Sequence, residues 1–368
     1  MSSSSKDIIF CSTSLAMYDR RMQRITNALN SSGYQVRWLS RYHDKNTINF
    51  DSIRHNFVKC IFNSGILFYL EFNIRLFLKL LRSSEGSISC VDLDTLLAAT
   101  LASKMKGKKL IFDAHEIFYE VPELTGKPFK KWIWKQVARW CIPKTDLCYT
   151  VNNSLKKHYE KNYSTSFSVI RNVPDVITKK TVAISNNKTM VYLGAVNKGR
   201  GVEIAIQSLQ QLIDYKLVII GEGDEYEQMI ALAESFNVSD RIDFRGYTTP
   251  DKIFSILSEC SIGLNVLVAE SENYRLSLAN KFFDYMHAGL PSINMRYPEY
   301  ESILEEHGVG VMIEEYEIGG LVEAVARLED TALFEELAEN TIMYRGLYTW
   351  GKEKVDLVSL YVGLLTQS

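Results

Sequence analysis

Residues 277–293 carry polar side chains whose types and spacing could bind an anion. Asn280 can cap a helix, and the free amides and dipole at such a helix start favour a negatively charged group. Lys281 and Asp284 share one face of that helix because they are three residues apart. Pro291 then prevents the helix from continuing into the apolar strand that follows. The segment therefore predicts a phosphate-binding helix start beside a strand end, where open α/β sheets bind ligands.

A glycine-rich turn at residues 192–201 predicts a second anion contact. Glycines let backbone amides approach phosphate oxygens closely, and Arg200 can offer them a bidentate guanidinium group. Two more glycine-containing segments, 220–224 and 244–247, follow apolar strands. The first lacks the third glycine of a dinucleotide fingerprint, because Tyr226 stands there, so the spacing argues against a dehydrogenase. The glycines predicted to line the site are Gly194, Gly221, Gly223 and Gly246.

These motifs resemble the donor-binding signature of the retaining glycosyltransferases of family four, which have the two-domain GT-B fold. The resemblance extends over nearly the whole chain. It implies that Asp284 binds ribose hydroxyls and that Arg200 binds phosphate, with Lys281 and the helix amides beside it. It also implies that Arg245 and Tyr247, with the glycine between them, contact the nucleotide base.

The chain departs from the family pattern at two positions. Leu276 stands where the family has a glutamate that contacts the donor sugar, and Glu270 and Glu272 in the preceding loop are candidate substitutes. Ala195 stands where many members have an arginine, and Lys198 or the lysine of the helix start would compensate. A donor site of the family type is therefore expected with an altered sugar contact.

The first half of the chain offers residues for the acceptor side. His115 and Glu116 follow an apolar strand, and His115 matches a family histidine that contacts the donor sugar. Near the N-terminus, Asp19 and Arg20 resemble a family loop where acceptor and donor phosphate meet. The alternative for the second pair is an acid that caps a helix, followed by solvated arginines at positions 20 and 21.

Asp92 and Asp94 form an Asp-x-Asp pair of the kind that binds manganese in another transferase fold. The context argues against a metal, because a helical run begins at Thr95 and Asp94 stands where a helix cap is needed. The prediction is a site without metal or other cofactor.

The composition is that of a soluble globular enzyme. Hydrophobic residues make up 46% of the 368 residues and charged residues 23%, and the formal net charge of -2 gives no attraction to nucleic acid. The six cysteines form no CxxC pair, so we expect buried free thiols in a reducing compartment. The N-terminal apolar stretch is too short for a signal peptide, which predicts a cytoplasmic location.

Short β runs alternate with amphipathic helices twice along the chain, which predicts α/β architecture with two parallel sheets. The resemblance implies that these form two Rossmann-like domains facing a cleft. The expected domains are 1–177 and 186–349, with a polar linker at 175–188, and the resemblance implies that a closing helix at 350–368 joins the first domain. Twelve strands are expected, at 8–11, 35–39, 89–91, 109–112, 147–151, 167–171, 190–193, 216–220, 241–244, 262–266, 291–294 and 310–313.

Two helical stretches of the first half could lie on a membrane. Between Lys127 and Trp140, cations recur every four residues beside aromatic side chains, a pattern typical of basic interfacial helices. Residues 66–81 leave most of the helix circumference apolar but carry too many charges to span a bilayer. The alternative for both is a helix packed on the sheet. Surface association at the inner face of the membrane would suit a lipid-linked acceptor.

The sequence is thus identified as a glycosyltransferase that moves a sugar from a nucleotide diphosphate sugar to a carbohydrate or lipid-linked acceptor. The resemblance implies retention of configuration, with a front-face route. Two rival classes stay open. An epimerase or hydrolase of similar fold would consume donor without an acceptor, and a non-catalytic partner subunit would show no turnover.

Overall fold

The computed structural model describes residues 6–14, 16, 19–42, 54–121, 124–175, 187–268 and 270–366. The chain forms two compact units. The first unit comprises Met1–Asn172 with Glu353–Ser368, and the second comprises Val173–Lys352. Most of the predicted linker, and part of the loop before Asp19, lie outside the described residues.

The first unit is built on one parallel sheet of seven strands: β1 (Asp7–Cys11), β2 (Gln35–Arg41), β3 (Arg54–Val58), β4 (Ser87–Val91), β5 (Lys109–Ala114), β6 (Leu147–Thr150) and β7 (Ser168–Val169). Their order in the sheet is β3-β2-β1-β4-β5-β6-β7. The edge strand β3 was missing from the sequence prediction. Its residues are mostly polar and only Val58 is buried, so no apolar run marks it.

Helices of the first unit connect these strands: α1 (Arg20–Ser31), α2 (Gly65–Leu81), α3 (Asp92–Lys106), α4 (Pro128–Cys141) and α5 (Asn153–Tyr163). The last helix of the chain, Trp350–Leu365, joins this unit from Glu353 onward. Its Tyr361 is fully buried, and the hydroxyl lies 2.9 Å from Ser89 Oγ and 3.3 Å from Tyr149 Oη. The prediction that the closing helix returns to the first unit is therefore confirmed.

The second unit has its own parallel sheet of six strands: β8 (Thr189–Leu193), β9 (Lys216–Ile220), β10 (Ile242–Gly246), β11 (Ile262–Asn265), β12 (Ser292–Met295) and β13 (Gly310–Ile313). Its order is β10-β9-β8-β11-β12-β13. The strand order reverses at β8, and the carboxyl end of such a switch strand is where α/β sheets open a crevice for ligands. The two all-parallel sheets confirm the predicted α/β class.

Eight helices among the described residues cover this second sheet: α6 (Val202–Ser208), α7 (Tyr226–Ser235), α8 (Pro250–Leu257), α9 (Glu272–Arg275), α10 (Asn280–Ala288), α11 (Pro298–His307), α12 (Ile318–Arg327) and α13 (Thr331–Tyr344). The helix that starts at Trp350 is α14. Across the described ranges, no helix combines the length and the apolar character needed to cross a membrane.

Candidate functional site

The site in the second unit starts from two glycine turns that touch through their backbones. Gly194 follows β8 with φ +138°, and Gly221 follows β9 with φ +136°. A Cβ atom added to Gly221 would lie 1.9 Å from the Gly194 carbonyl oxygen. The Gly194 amide also donates to the Ile220 carbonyl at 2.9 Å. Glycine is therefore required at position 221 by the close contact and at position 194 by its positive φ, and the two turns lie against each other at the strand ends.

Lys281 points its ammonium group at this edge. The side chain is buried, and Nζ lies 3.8 Å from the centroid of the Tyr192 ring and beside Gly194. Nζ has no hydrogen-bond partner among the described residues. Burial lowers the pKa of Lys281 well below its usual value, and the positive charge of Arg200 lowers it further. Burying an amine without a hydrogen-bond acceptor costs free energy unless a ligand pairs with it.

Arg200 supplies a second cation next to the lysine. Its Nε atom is buried and also lacks a hydrogen-bond partner within the described part of the chain. The guanidinium carbon lies 5.1 Å from the centroid of the Tyr274 ring. The nearby acid Glu203 accepts a hydrogen bond from the Tyr316 hydroxyl, so one of its oxygens is already engaged. Two adjacent cations with unused donors form a site for an anion.

Tyr285 fixes the helix that carries Lys281. Its hydroxyl accepts a hydrogen bond from the Leu193 amide at 2.9 Å and lies 3.1 Å from the Leu264 carbonyl oxygen. A Cβ atom at Gly263 would lie 2.4 Å from the tyrosine ring, so only glycine lets the ring pack against β11. The sequence prediction missed this positioning residue, although its spacing of four from Lys281 places it on the same face of α10.

The predicted helix cap is wrong. Helix α10 begins at Asn280, and Ala279 is the N-cap, with φ -71° and ψ 140° and no side-chain cap bond. The Ala279 amide instead donates to the Tyr300 hydroxyl at 2.8 Å. Asn280 is exposed in the first turn, and Asp284 is half-buried one turn later. The aromatic hydroxyl takes over the capping task because it satisfies the amide from outside the helix.

The predicted base-binding segment is exposed at the end of β10. Gly246 has φ +57°, and the Tyr247 amide donates to Glu222 Oε1 at 3.2 Å. Arg245 pairs with Asp243 at 2.6 Å on the surface, while Tyr247 presents an exposed ring.

The neighbouring candidates have separate surroundings. Gly223 packs against Asn197, whose Oδ1 would lie 2.4 Å from an added Cβ atom. Lys198, Glu270 and Glu272 are exposed, and Leu276 is half-buried. The structure thus brings Gly194, Gly221, Arg200 and Lys281 together and leaves the candidate substitutes at the surface.

The first unit holds a different polar cluster at the ends of β4 and β5. Asp113 is fully buried and pairs with Arg21 at 2.9 Å and with His115 Nε2 at 3.0 Å. The Asp92 carboxylate accepts from the His115 amide at 2.8 Å and lies 3.6 Å from the ring Nδ1. The Arg21 guanidinium also donates to the Ile170 carbonyl at 2.8 Å. His115 is therefore held between two carboxylates.

The charges in this cluster shift one another's pKa values. Burial alone would raise the pKa of Asp113, but Arg21 and His115 outweigh it and bring that pKa to about 2. Burial would lower the pKa of His115, yet Asp113 and Asp92 outweigh it and raise that pKa. The two carboxylates thus favour the protonated imidazole, while Arg21, whose Nε lies 3.0 Å from His115 Nε2, opposes it.

Two sequence expectations for this unit need correction. Asp94 is not a helix cap: α3 starts at Asp92, and the Asp94 carboxylate is buried and accepts from the Thr13 hydroxyl. Burial raises the pKa of Asp94 to about 7, against the effect of that hydrogen bond. Arg21 is not solvated but buried in the cluster described above. Its pairing was invisible to the sequence because Asp113 lies far along the chain.

The other acceptor-side candidates have structural partners. Asp19 caps α1 by accepting from the Met22 amide at 2.9 Å, and Arg20 is exposed. The Glu116 carbonyl accepts from the Tyr159 hydroxyl at 2.6 Å. No set of three or more His, Cys, Asp or Glu side chains suited to a metal occurs in the described part of the chain.

Comparison with known proteins gives three kinds of similarity. Residues 175–344 match the family model described as glycosyl transferases group 1. N-acetyl-alpha-D-glucosaminyl L-malate synthase of Bacillus anthracis is 24% identical over 166 residues, which are 44% of this chain and 42% of that protein. The chain therefore spans less than half of that curated relative.

Solved structures resemble the chain over nearly its whole length. Sucrose-phosphate synthase from Thermosynechococcus elongatus gives a TM-score of 0.82 at 14% identity, covering 99% of this chain and 100% of that one. Anabaena Alr3699/HepE in complex with UDP-glucose gives a TM-score of 0.77 at 14% identity, covering 96% and 98%. At such low identity these likenesses show the fold, which is GT-B.

Proposed function

Because residues 175–344 match the family model described as glycosyl transferases group 1, we propose that the protein is a glycosyltransferase that uses a nucleotide diphosphate sugar. The single observation that carries this proposal is a pair of basic side chains at the ends of β8 and β9, the buried Lys281 and the half-buried Arg200, each with a buried nitrogen that lacks a partner among the described residues. A diphosphate would pair with both and would remove the cost of their burial. HepE, similar in fold, is described with UDP-glucose.

In the proposed reaction the bond between the anomeric carbon and the diphosphate oxygen breaks, and the acceptor oxygen bonds to that carbon. The leaving diphosphate gains negative charge as this bond lengthens. Arg200, Lys281 and the amides at the start of α10 would stabilise that charge, which is the role of preorganised donors in catalysis. His115 is proposed to contact the sugar, and the proton of the acceptor hydroxyl would pass to the leaving phosphate.

The remaining donor contacts are proposals by family resemblance. Asp284 would bind the ribose hydroxyls, and Arg245, Gly246 and Tyr247 would contact the base. We propose retention of configuration by a front-face route and no requirement for a metal or cofactor. The proposed acceptor is a carbohydrate or lipid-linked glycan, used in cell-surface polysaccharide or glycoconjugate synthesis at the cytoplasmic face of the membrane. Asp19, Arg20 and Glu116 are the proposed acceptor-side residues.

Binding of a panel of UDP-, GDP- and ADP-sugars tests the donor site. Thermal shift identifies the base, and calorimetry then measures affinity for wild type and for Arg200→Ala. Loss of a charge-assisted contact should cost about 1.5–3 kcal/mol. Lys198→Ala is the matched control, because that cation stands in the same turn but is exposed. Equal affinity in wild type and Arg200→Ala would remove the proposed site.

Turnover separates the proposal from its rivals. Transfer requires both a donor and an acceptor. Consumption of donor with water alone would favour a hydrolase, and interconversion of the donor sugar would favour an epimerase. Binding without any turnover, across the donor panel and a range of glycan acceptors, would favour a non-catalytic partner subunit.

A further inference from the structure

Helix α2 carries two apolar faces on opposite sides. Phe68, Phe72, Leu76 and Leu80 are buried in the first unit. Ile66, Leu67, Leu70, Ile74 and Leu78 form a second stripe, which is 43–57% exposed in the described structure. Positions 66, 70, 74 and 78 are four residues apart and keep this stripe continuous over 13 residues, an axial rise of about 18 Å. One face therefore builds the core, and the other faces outward at full length.

A polar row separates these faces along one side of the helix. Glu71 accepts from the amides of Ile61 and Phe62 at 2.8 and 3.1 Å and pairs with Arg75 at 2.7 Å. Lys79 continues the row and is exposed. The acid of this row is thus already paired, and the row contributes net positive charge beside the outward stripe.

The adjoining helices extend the same surface. Helix α2 packs on α3, and α3 packs on α4. All three lie on one face of the sheet, because their strand crossovers run in the same direction and are right-handed. Tyr69 of α2 meets Trp134 of α4 at 5.3 Å between ring centroids. Outward hydrophobic residues continue across this layer as Leu101, Met105, Phe129, Trp132 and Trp140.

Cations surround the aromatic part of this layer. Lys144 and Lys104 lie 4.3 and 5.8 Å from the Trp140 ring centroid. Lys131 and Lys135 are less available than the sequence pattern suggested, because both pair with Glu120, at 2.7 and 3.1 Å. The apolar stripe of α2, rather than the cation repeat of α4, is therefore the dominant feature of the surface.

We propose that the outer surface of α2, α3 and α4 docks on an anionic lipid bilayer, with the α2 stripe inserted at the headgroup boundary. Three properties favour a bilayer over other occupants. The apolar stripe is long and lies on one helix, as in interfacial helices. Tryptophans beside lysines suit the boundary between acyl chains and water. The surrounding basic residues complement acidic headgroups, although the whole chain has a net charge of -2.

This inference rests on the proposed function only in its purpose, which is to bring the enzyme to a lipid-linked acceptor. Vesicle binding and donor binding can be measured separately. The α2 stripe lies in the first unit and the proposed diphosphate site in the second. A failure of one proposal therefore leaves the result for the other intact.

Co-sedimentation with vesicles of phosphatidylcholine, with and without phosphatidylglycerol, tests the proposal. The double variant Leu70→Glu, Ile74→Glu should lower the partition coefficient at least about tenfold, because it removes two half-exposed apolar side chains from the contact. Ile213→Glu is the matched control, an exposed isoleucine in the second unit. Wild-type binding should weaken with added salt and with loss of the acidic lipid, and the control should bind as wild type.

Three results would overturn the proposal. The first is no wild-type binding to acidic vesicles at low salt. The second is equal binding by the double variant when circular dichroism shows it folded. The third is a wild-type dimer in analytical ultracentrifugation that becomes a monomer in the double variant, without any vesicle binding. That outcome would assign the stripe to a second copy of this chain. Trp132→Ala, which leaves the helix core untouched, serves as a second variant if the double variant does not fold.

Discussion

The two units handle buried charge in opposite ways. In the first unit the buried Asp113 carboxylate lies within hydrogen-bonding distance of both Arg21 and His115. In the second unit Lys281 and Arg200 are neighbours of the same sign, and each has a buried nitrogen without a partner in the described structure. A network in which every buried charge is paired fixes the geometry of its side chains. Buried polar groups without partners cost free energy, and a bound ligand that pairs with them offsets this cost.

This difference suggests different tasks. The first cluster holds His115 in one orientation, and its carboxylates favour the protonated imidazole. The second is incomplete without an anion. Substitutions should therefore change stability with opposite sign in the two units. Measuring that sign is the most direct test of the difference between them.

The largest expected effect is the loss of stability in Arg21→Leu. Removing the guanidinium of this buried ion pair leaves Asp113 with His115 as its remaining partner and should lower the free energy of unfolding by about 3–5 kcal/mol. Urea denaturation measures this change. Arg20→Leu is the matched control, since its side chain is exposed and should alter stability by less than about 0.5 kcal/mol. Similar stability of both variants would show that the cluster contributes nothing as a network.

A smaller effect of opposite sign is expected for Lys281→Met. Methionine fills a similar volume without a buried charge, so the free energy of unfolding should rise by about 1–3 kcal/mol. The affinity for the nucleoside diphosphate identified in the panel should fall by about 1.5–3 kcal/mol. Denaturation and calorimetry on the same variant measure both changes. A less stable variant with unchanged affinity would make Lys281 an ordinary core residue.

The next expected effect is a pH dependence of diphosphate binding, which tests the role of Lys281. Its pKa is lowered in the free protein, and a bound diphosphate would raise it again. Between these two pKa values binding takes up a proton, so affinity should fall as pH rises, by up to about tenfold per pH unit. The groups facing Nζ include the Arg200 guanidinium and Tyr192, whose phenol pKa is raised by burial.

Calorimetry in two buffers of different ionisation enthalpy detects this proton uptake. Lys281→Met should abolish the difference between buffers. Identical heats of binding in both buffers would contradict proton uptake.

The same pKa shift of Lys281 also determines how the free energy of unfolding changes with pH. Because the folded pKa is depressed, the unfolded chain binds more protons, so this group makes stability rise with pH up to the unfolded value near 10.4. For His115 the sign is reversed, because its raised pKa makes a stabilising contribution that is lost as pH rises.

The sequence predicted most of the buried strands and the position of Lys281 on its helix, for identifiable reasons. Apolar runs bounded by glycine and polar residues marked the buried strands, and helical spacing marked Lys281. Contacts between distant segments could not be read in the same way. The Arg21 pair with Asp113, the Tyr285 anchor and the Tyr300 cap each join residues that lie in different elements. The Asn280 cap failed because a local preference was overruled by such a contact.

The smallest expected effect, none at all, concerns metal. Chelation with EDTA and addition of Mn²⁺ should leave transfer activity unchanged, because Arg200 and Lys281 would supply the positive charge that a metal gives to a leaving diphosphate. The acids most like a metal motif have other contacts. Asp92 accepts from the His115 amide, and the Asp94 carboxylate accepts from Thr13. Activity that is lost with chelator, restored by Mn²⁺ and then abolished in Asp92→Asn would contradict this prediction. The charge that binds the leaving diphosphate would then be a metal ion held by the first unit, and not Arg200 and Lys281 of the second.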